Sequence, residues 1–113
     1  MKSKILALSR NEEFKNLIKQ KKITNKYTTI FFGKLANKSK NKLNISFVAK
    51  RKIGNAVKRN KIKRRLRNIM NDAVENITLK FDYSYLVIAK PTMLNKEYTI
   101  IKETLFRDLE RIN

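Results

Sequence analysis

The chain has 113 residues, enough for one domain with one modest core. It carries 28 Lys and Arg against 9 Asp and Glu, a net charge of +19, with no His and no Cys. That composition excludes disulfides, thiolate zinc sites, Cys nucleophiles and histidine acid–base chemistry, and it makes a polyanion the natural partner.

A hydrophobic fraction of 42% argues for a folded chain, and 2 Gly with 1 Pro leave little linker material. One domain over residues 1–113 is expected. No apolar run reaches the length of a membrane span, and the N-terminal apolar stretch, residues 5–8, is too short for a signal-peptide core. A reducing cytoplasm fits the absence of cysteine. The charge is also segregated: between Glu13 and Asp72 there is no acid, and 19 basic residues fall in that interval.

In chain order, Ser9-Arg10-Asn11-Glu12 reads as a capping box opening a helix to about Gln20, with Phe14, Leu17 and Ile18 on one face. Residues 27–35 (YTTIFFGKL) are β-branched and aromatic and read as a strand, with Tyr27, Thr29 and Phe31 on one side and Thr28, Ile30 and Phe32 on the other. A polar loop over 36–42 follows. Residues 43–50 (LNISFVAK) alternate, with Leu43, Ile45, Phe47 and Ala49 on one face, and the two strands are expected to pair as an antiparallel hairpin.

Asn55 is the expected N-cap of the next helix. From about Val57 the spacing is helical: Ile62, Leu66, Ile69, Met70 and Ala73 make an apolar stripe, with Asn60, Lys63, Arg64, Arg67 and Asn71 opposite. Lys58 falls on the apolar side, so either the first turn is irregular or the helix starts later. Residues 83–90 (YSYLVIAK) form the clearest strand, closed by Pro91. A last helix, capped by Asn95, turns Tyr98, Ile101, Leu105, Leu109 and Ile112 inward. The order α-β-β-α-β-α predicts an α+β fold, a two-layer sandwich of helices on a small sheet, with the basic helix as its crossover. If the strands flanking that helix are parallel, a right-handed βαβ unit is the default.

The chemistry points to binding. Asp72 and Glu75 sit at i, i+3, but two acids at the end of a basic helix read as charge balance before they read as a metal site. Gly33 and Gly54 belong to no phosphate-cradling motif. Residues 50–67 (KRKIGNAVKRNKIKRRLR) hold ten basic residues and no acid. Arg59, Arg64, Arg65 and Arg67 suit bidentate phosphate contact and Asn60 a sugar or base edge. Solvated helices interleave Glu with Lys, which this one does not. With six to ten phosphate contacts, affinity falls roughly a thousandfold or more between about 50 and 200 mM salt. Phe14, Ile18, Tyr27, Phe31 and Phe47 either stack unpaired bases or fill the core, and spacing alone favours core.

The run Ile53-Gly54-Asn55-Ala56-Val57-Lys58-Arg59-Asn60-Lys61-Ile62-Lys63-Arg64 resembles the signature of the protein subunit of bacterial ribonuclease P, an Arg-Asn-Arg helix approached by a basic strand end (here Lys50-Arg51-Lys52) and followed by a further Arg (Arg67). Residues 8–14 (LSRNEEF) and 82–91 (DYSYLVIAKP) resemble that family's first helix and last strand. The resemblance implies an α-β sandwich with a left-handed βαβ crossover. It implies a subunit that binds the catalytic RNA and the single-stranded 5′ leader of precursor tRNA, while the RNA, with Mg²⁺, cuts the phosphodiester. No metal site on the protein, no DNA and no membrane partner is implied.

By position, Arg51, Lys52, Arg59, Asn60, Lys61, Lys63, Arg64 and Arg67 would contact the RNA subunit, and Phe14, Ile18, Phe31, Lys63, Arg64 and Arg67 the leader. No residue of the chain would be catalytic. Two positions depart from the family pattern: Lys61 replaces the second signature Arg, a point charge for a fork, and Ile18 stands where a second aromatic is frequent. A small ribosomal protein is the main alternative and a stand-alone nuclease a third, the latter disfavoured by the missing His.

Overall fold

In a computed structural model, residues 4–8, 11–36, 38 and 41–112 are described. Five strands form one sheet: β1 (Ile5–Leu6), β2 (Lys21–Thr24), β3 (Thr28–Gly33), β4 (Leu43–Val48) and β5 (Ser84–Ala89), in the spatial order β1-β4-β5-β3-β2. Three helices accompany it: α1 (Glu12–Ile18), α2 (Ala56–Asn76) and α3 (Tyr98–Ile112). The main elements follow the expected α-β-β-α-β-α order.

The expected hairpin does not form. β3 pairs antiparallel with β5, β4 pairs parallel with β5, and β5 lies between them. Hydrophobicity explains the insertion: β5 (SYLVIA) is buried along nearly its whole length, so it takes the centre, where both faces are covered. The nine residues 34–42 between β3 and β4 are long enough to step across one strand, a gap of roughly 10 Å. Because β4 and β5 are parallel neighbours, α2 is the crossover of a βαβ unit.

Both α2 and α3 pack on one face of the sheet. The stripe Ile62, Leu66, Ile69, Met70 and Ala73 is buried with Ile30, Leu43, Ile45, Tyr85, Val87 and Ala89, and Ile101, Leu105 and Leu109 close the layer from α3. The seven-residue α1 lies on the other face, where Leu17 joins Leu8 and Leu86 with Phe14, Phe31, Val48 and Ile88 around them. Tyr27 leaves the expected alternation: it precedes β3 and is buried with the α2–α3 core, on the face opposite Phe31.

Other sequence expectations shift at the element ends. Ser9 and Arg10 of the proposed capping box lie outside the described residues; the residue preceding α1 is Asn11, whose side chain makes no capping bond. Asn55 does cap α2, its side chain accepting from Lys58 N–H at 3.0 Å. That helix starts at Ala56, and Val57 and Lys58 are exposed because its first turn projects past the core. Asn95 is not the cap of α3, whose first turn closes on the Glu97 carbonyl. β1 and β2 went unforeseen, being two residues long in one case and opened by two lysines in the other.

One polar knot ties the sheet to α3. The Asn25 side-chain oxygen accepts from the Tyr27 and Thr28 amides at 2.7 and 2.8 Å, and its Nδ2 donates to Thr28 Oγ1 at 3.0 Å and to buried Asp108 at 2.8 Å. Removing it would strip a buried carboxylate of its partner and two backbone donors of theirs. Asn25→Ala should therefore destabilise the fold by about 2–4 kcal/mol, read as a lower urea midpoint; an unchanged midpoint would show the knot to be dispensable.

Candidate nucleic-acid interface

Packing α2 by its apolar stripe decides where its cations go. Arg59, Lys63, Arg67, Asn71 and Glu75 recur every four residues and so form one row along the flank beside β4. The outer face carries Asn60, Lys61 and Arg64, all exposed. On the other flank Arg65 reaches toward the segment before α3, its Nη1 donating to the Lys96 carbonyl at 3.4 Å.

The row faces a cleft. α1 packs over β3 and β5, leaving the outer edge of β4 between itself and α2. β1 pairs only with Leu43 and Asn44, so among the described residues no further strand covers β4 beyond them on that side. The resulting open cleft, about 850 Å³, has residues 45–48 of β4 and the following Ala49 as its floor. Ile5, Ala7 and Leu8 form one side, Phe14, Lys15 and Ile18 of α1 another, and Lys63 and Arg67 of α2 the third. An apolar floor, an aromatic ring and cations on two sides suit an extended polyanion with flat apolar faces, which is the chemistry of single-stranded nucleic acid.

The sequence-predicted residues therefore divide. Phe14, Ile18, Lys63 and Arg67 come together in the cleft. Ile18 is 49% exposed, far from a core side chain, whereas Leu17 beside it is fully buried. Phe31 is half-buried and packs in the cluster beneath α1, outside the cleft lining. Phe47 does both: it packs against the α2–α3 core, as spacing favoured, and it also lines the cleft. Arg64, Asn60 and Lys61 face outward, away from the cleft. Arg59 is half-buried at the head of the row, with a buried Nε that has no hydrogen-bond partner in the structure. Lys15 and Asn11 also line the cleft; nothing in their spacing marks them, because the side α1 turns to β4 is set by its docking.

Arg51 and Lys52 sit exposed on a 3-10 turn, Arg51–Ile53, anchored by buried Ile53. Gly54 joins that turn to α2 with φ 149° and ψ −162°, a conformation open essentially to glycine alone. A Cβ there would also meet the Lys58 side chain at 2.8 Å. Two cationic surfaces thus meet at one glycine.

The carboxylates nearest this surface do not converge. Asp72 accepts from Lys102 Nζ at 3.2 Å and the Tyr98 hydroxyl at 3.3 Å, while Glu75 pairs with Lys4 on the opposite flank. Burial, helped by Asp72, raises the Tyr98 phenol above its ordinary range. Among the described residues no three acidic groups gather as a metal site, and no helix is long and apolar enough to cross a membrane.

Known proteins are similar to this chain in sequence and in fold. A family model described as Ribonuclease P matches residues 3–113. The ribonuclease P protein component of Carboxydothermus hydrogenoformans is 31% identical over 102 residues, covering 87% of this chain and 83% of that protein. The ribonuclease P protein component of Mycoplasma mycoides subsp. mycoides is 31% identical over 106 residues, covering 93% and 94%. The solved ribonuclease P protein of Thermotoga maritima superposes with a TM-score of 0.80 at 26% identity, covering 96% of this chain and 98% of that one.

Gly54→Ala should cost about 1–3 kcal/mol and disturb the setting of Arg51 and Lys52 against α2. Thermal unfolding and RNA titration would both register it; a variant matching the parent in both would mean the junction tolerates a side chain.

Proposed function

The chain belongs to the ribonuclease P protein family, and on that premise we propose that it is the RNA-binding subunit of the ribonucleoprotein endonuclease that removes the 5′ leader from precursor tRNA. The reading rests on one observation above the rest. A single helix carries two cationic faces, one lining an apolar cleft and one fully exposed, so one protein can hold two RNA strands at once.

In this proposal the outer set, Arg51, Lys52, Asn60, Lys61 and Arg64, docks on the catalytic RNA, with Arg59 at the junction. Lys63 and Arg67 neutralise leader phosphates in the cleft while Phe14 and Phe47 meet unpaired bases and Ile18 supplies an apolar wall. Phe31 acts from below, holding α1 in place through Leu17. Lys61 offers a strongly hydrated point charge where a guanidinium would grip two oxygens, so its contact is the less directional.

Asp72 and Glu75 pair with separate lysines, and among the described residues no three acidic groups gather as a metal site. In this proposal phosphodiester hydrolysis belongs to the RNA with its own Mg²⁺. The protein's contribution is electrostatic and positional: cations spread over two faces lower the repulsion between ribozyme and substrate and so the Mg²⁺ needed. The work is cytoplasmic, where precursor tRNA and catalytic RNA meet.

Two substitutions separate the surfaces. Arg59→Ala should weaken assembly with the catalytic RNA and lower the slope of log affinity against log salt by about one; unchanged assembly at physiological salt would remove Arg59 from the interface. Phe14→Ala should weaken precursor tRNA binding by roughly 1–3 kcal/mol and leave mature tRNA binding intact, since only the precursor has a leader. Equal loss for both substrates would make Phe14 a packing residue.

A further inference from the structure

The wall of the cleft opposite α1 is a strand too short to hold itself in place. β1 has two residues and pairs only at Ile5–Leu43 and Leu6–Asn44, yet the segment through Leu8 contributes Ile5, Ala7 and Leu8 to the cleft. Two ladder pairs at a sheet edge fray readily. Side chains secure both ends instead. At the far end Leu8 N–H donates to Ser46 Oγ at 2.8 Å. At the near end Lys4 N–H donates to Asn71 Oδ1 at 3.3 Å, Lys4 Nζ pairs with Glu75, and the Lys4 carbonyl accepts from Leu43 N–H at 3.0 Å.

Asn71 and Glu75 are the two C-terminal members of the row whose upper members, Lys63 and Arg67, line the cleft. Asn71 is itself oriented by the helix: its Nδ2 donates to the Arg67 carbonyl at 3.1 Å, which turns its oxygen toward Lys4. One face of α2 is thus divided along its length, with cations where the cleft is open and a carboxamide and a carboxylate where the wall is attached.

We propose that Asn71 and Glu75 are positioning residues that pin the N-terminal strand through Lys4 and so hold the leader cleft preformed, coupling its width to the helix that carries its cations. The proposal rests on the cleft being the leader site. A preformed wall spares the bound strand the cost of ordering it, so detaching the wall lowers affinity for the leader and for nothing else.

Electrostatics makes the test sharp, because the bland alternative predicts the opposite sign. Glu75→Gln removes a negative charge from a cationic protein, which by charge alone tightens binding to every RNA. Asn71→Ala places a better helix former in α2, so a loss there is not a loss of helix. The full-length variants, singly and together, are assembled with catalytic RNA and titrated with precursor and mature tRNA. Expected is a roughly three- to tenfold fall in the leader-dependent gain, with assembly affinity unchanged or slightly higher. Faster amide exchange at Leu43 is expected beside it, and charge exchange, Lys4→Glu with Glu75→Lys, should restore the gain.

A leader-dependent gain equal to the parent's in both variants, or unaltered exchange at Leu43, overturns the pin. Equal loss for precursor and mature tRNA also overturns it, since the residues would then serve folding only. A parent protein that gives no leader-dependent gain overturns the cleft reading itself, a result separate from any of these.

Discussion

The apolar stripe of α2 against the sheet is the constraint on which the other features depend. Ile62, Leu66, Ile69, Met70 and Ala73 are all buried to 1% exposure or less, and burying the large ones stabilises the docked helix by on the order of 1.5–3 kcal/mol each. Once that stripe is seated, the helix cannot rotate. Every fourth cation from Arg59 must face the β4 edge, and Asn60, Lys61 and Arg64 must face away. Since α2 also links two neighbouring parallel strands, its axis is fixed relative to the floor of the cleft. The two cationic surfaces are therefore consequences of packing, made by one helix whose third side is held in the core.

The charge load explains why such a helix is kept so firmly. A net +19 on 113 residues opposes compaction, and the screening length at physiological salt, about 8 Å, is shorter than the span of the fold but longer than the spacing of neighbouring side chains on α2. Repulsion within the helix is thus only partly screened. Three of the nine acids tether elements: Asp72 to α3 through Lys102, Glu75 to the start of β1 through Lys4, and Asp108 to the turn before β3 through Asn25. None neutralises the cations at the N-terminal half of α2. These three carboxylates serve architecture and leave the cations of the N-terminal half of α2 unbalanced within the protein.

Much of this was legible beforehand because periodicity survives in a single sequence. The α2 stripe, the inward face of α3, the Leu43-Ile45-Phe47-Ala49 face of β4 and the Asn55 cap depend on local spacing, and all are found. What depended on long-range pairing was not legible. The supposed β3–β4 hairpin required knowing that β5, which starts 36 residues after β4 ends, is apolar enough to displace a neighbour. Tyr27 followed the alternation of β3 on paper but precedes the strand, where Asn25 reshapes the turn. The site divides the same way. Lys63 and Arg67 could be placed on a polar face from spacing; that this face meets Phe14, Ile18 and Phe47 across a cleft, while Phe31 lies beneath α1, follows only from how α1 docks. The ribosomal-protein alternative, which shared the charge and the layering, falls to the family match over residues 3–113.

The central claim is that the chain assists an RNA catalyst by holding that RNA and the leader of its substrate. The most direct measurement is single-turnover cleavage of precursor tRNA by a ribonuclease P RNA at a Mg²⁺ concentration too low for the RNA alone, with and without this protein. The account predicts that adding the protein restores accurate 5′ cleavage, and that the protein without the RNA cuts nothing. Cleavage by the RNA that is indifferent to the protein, or cleavage by the protein unaided, would contradict it.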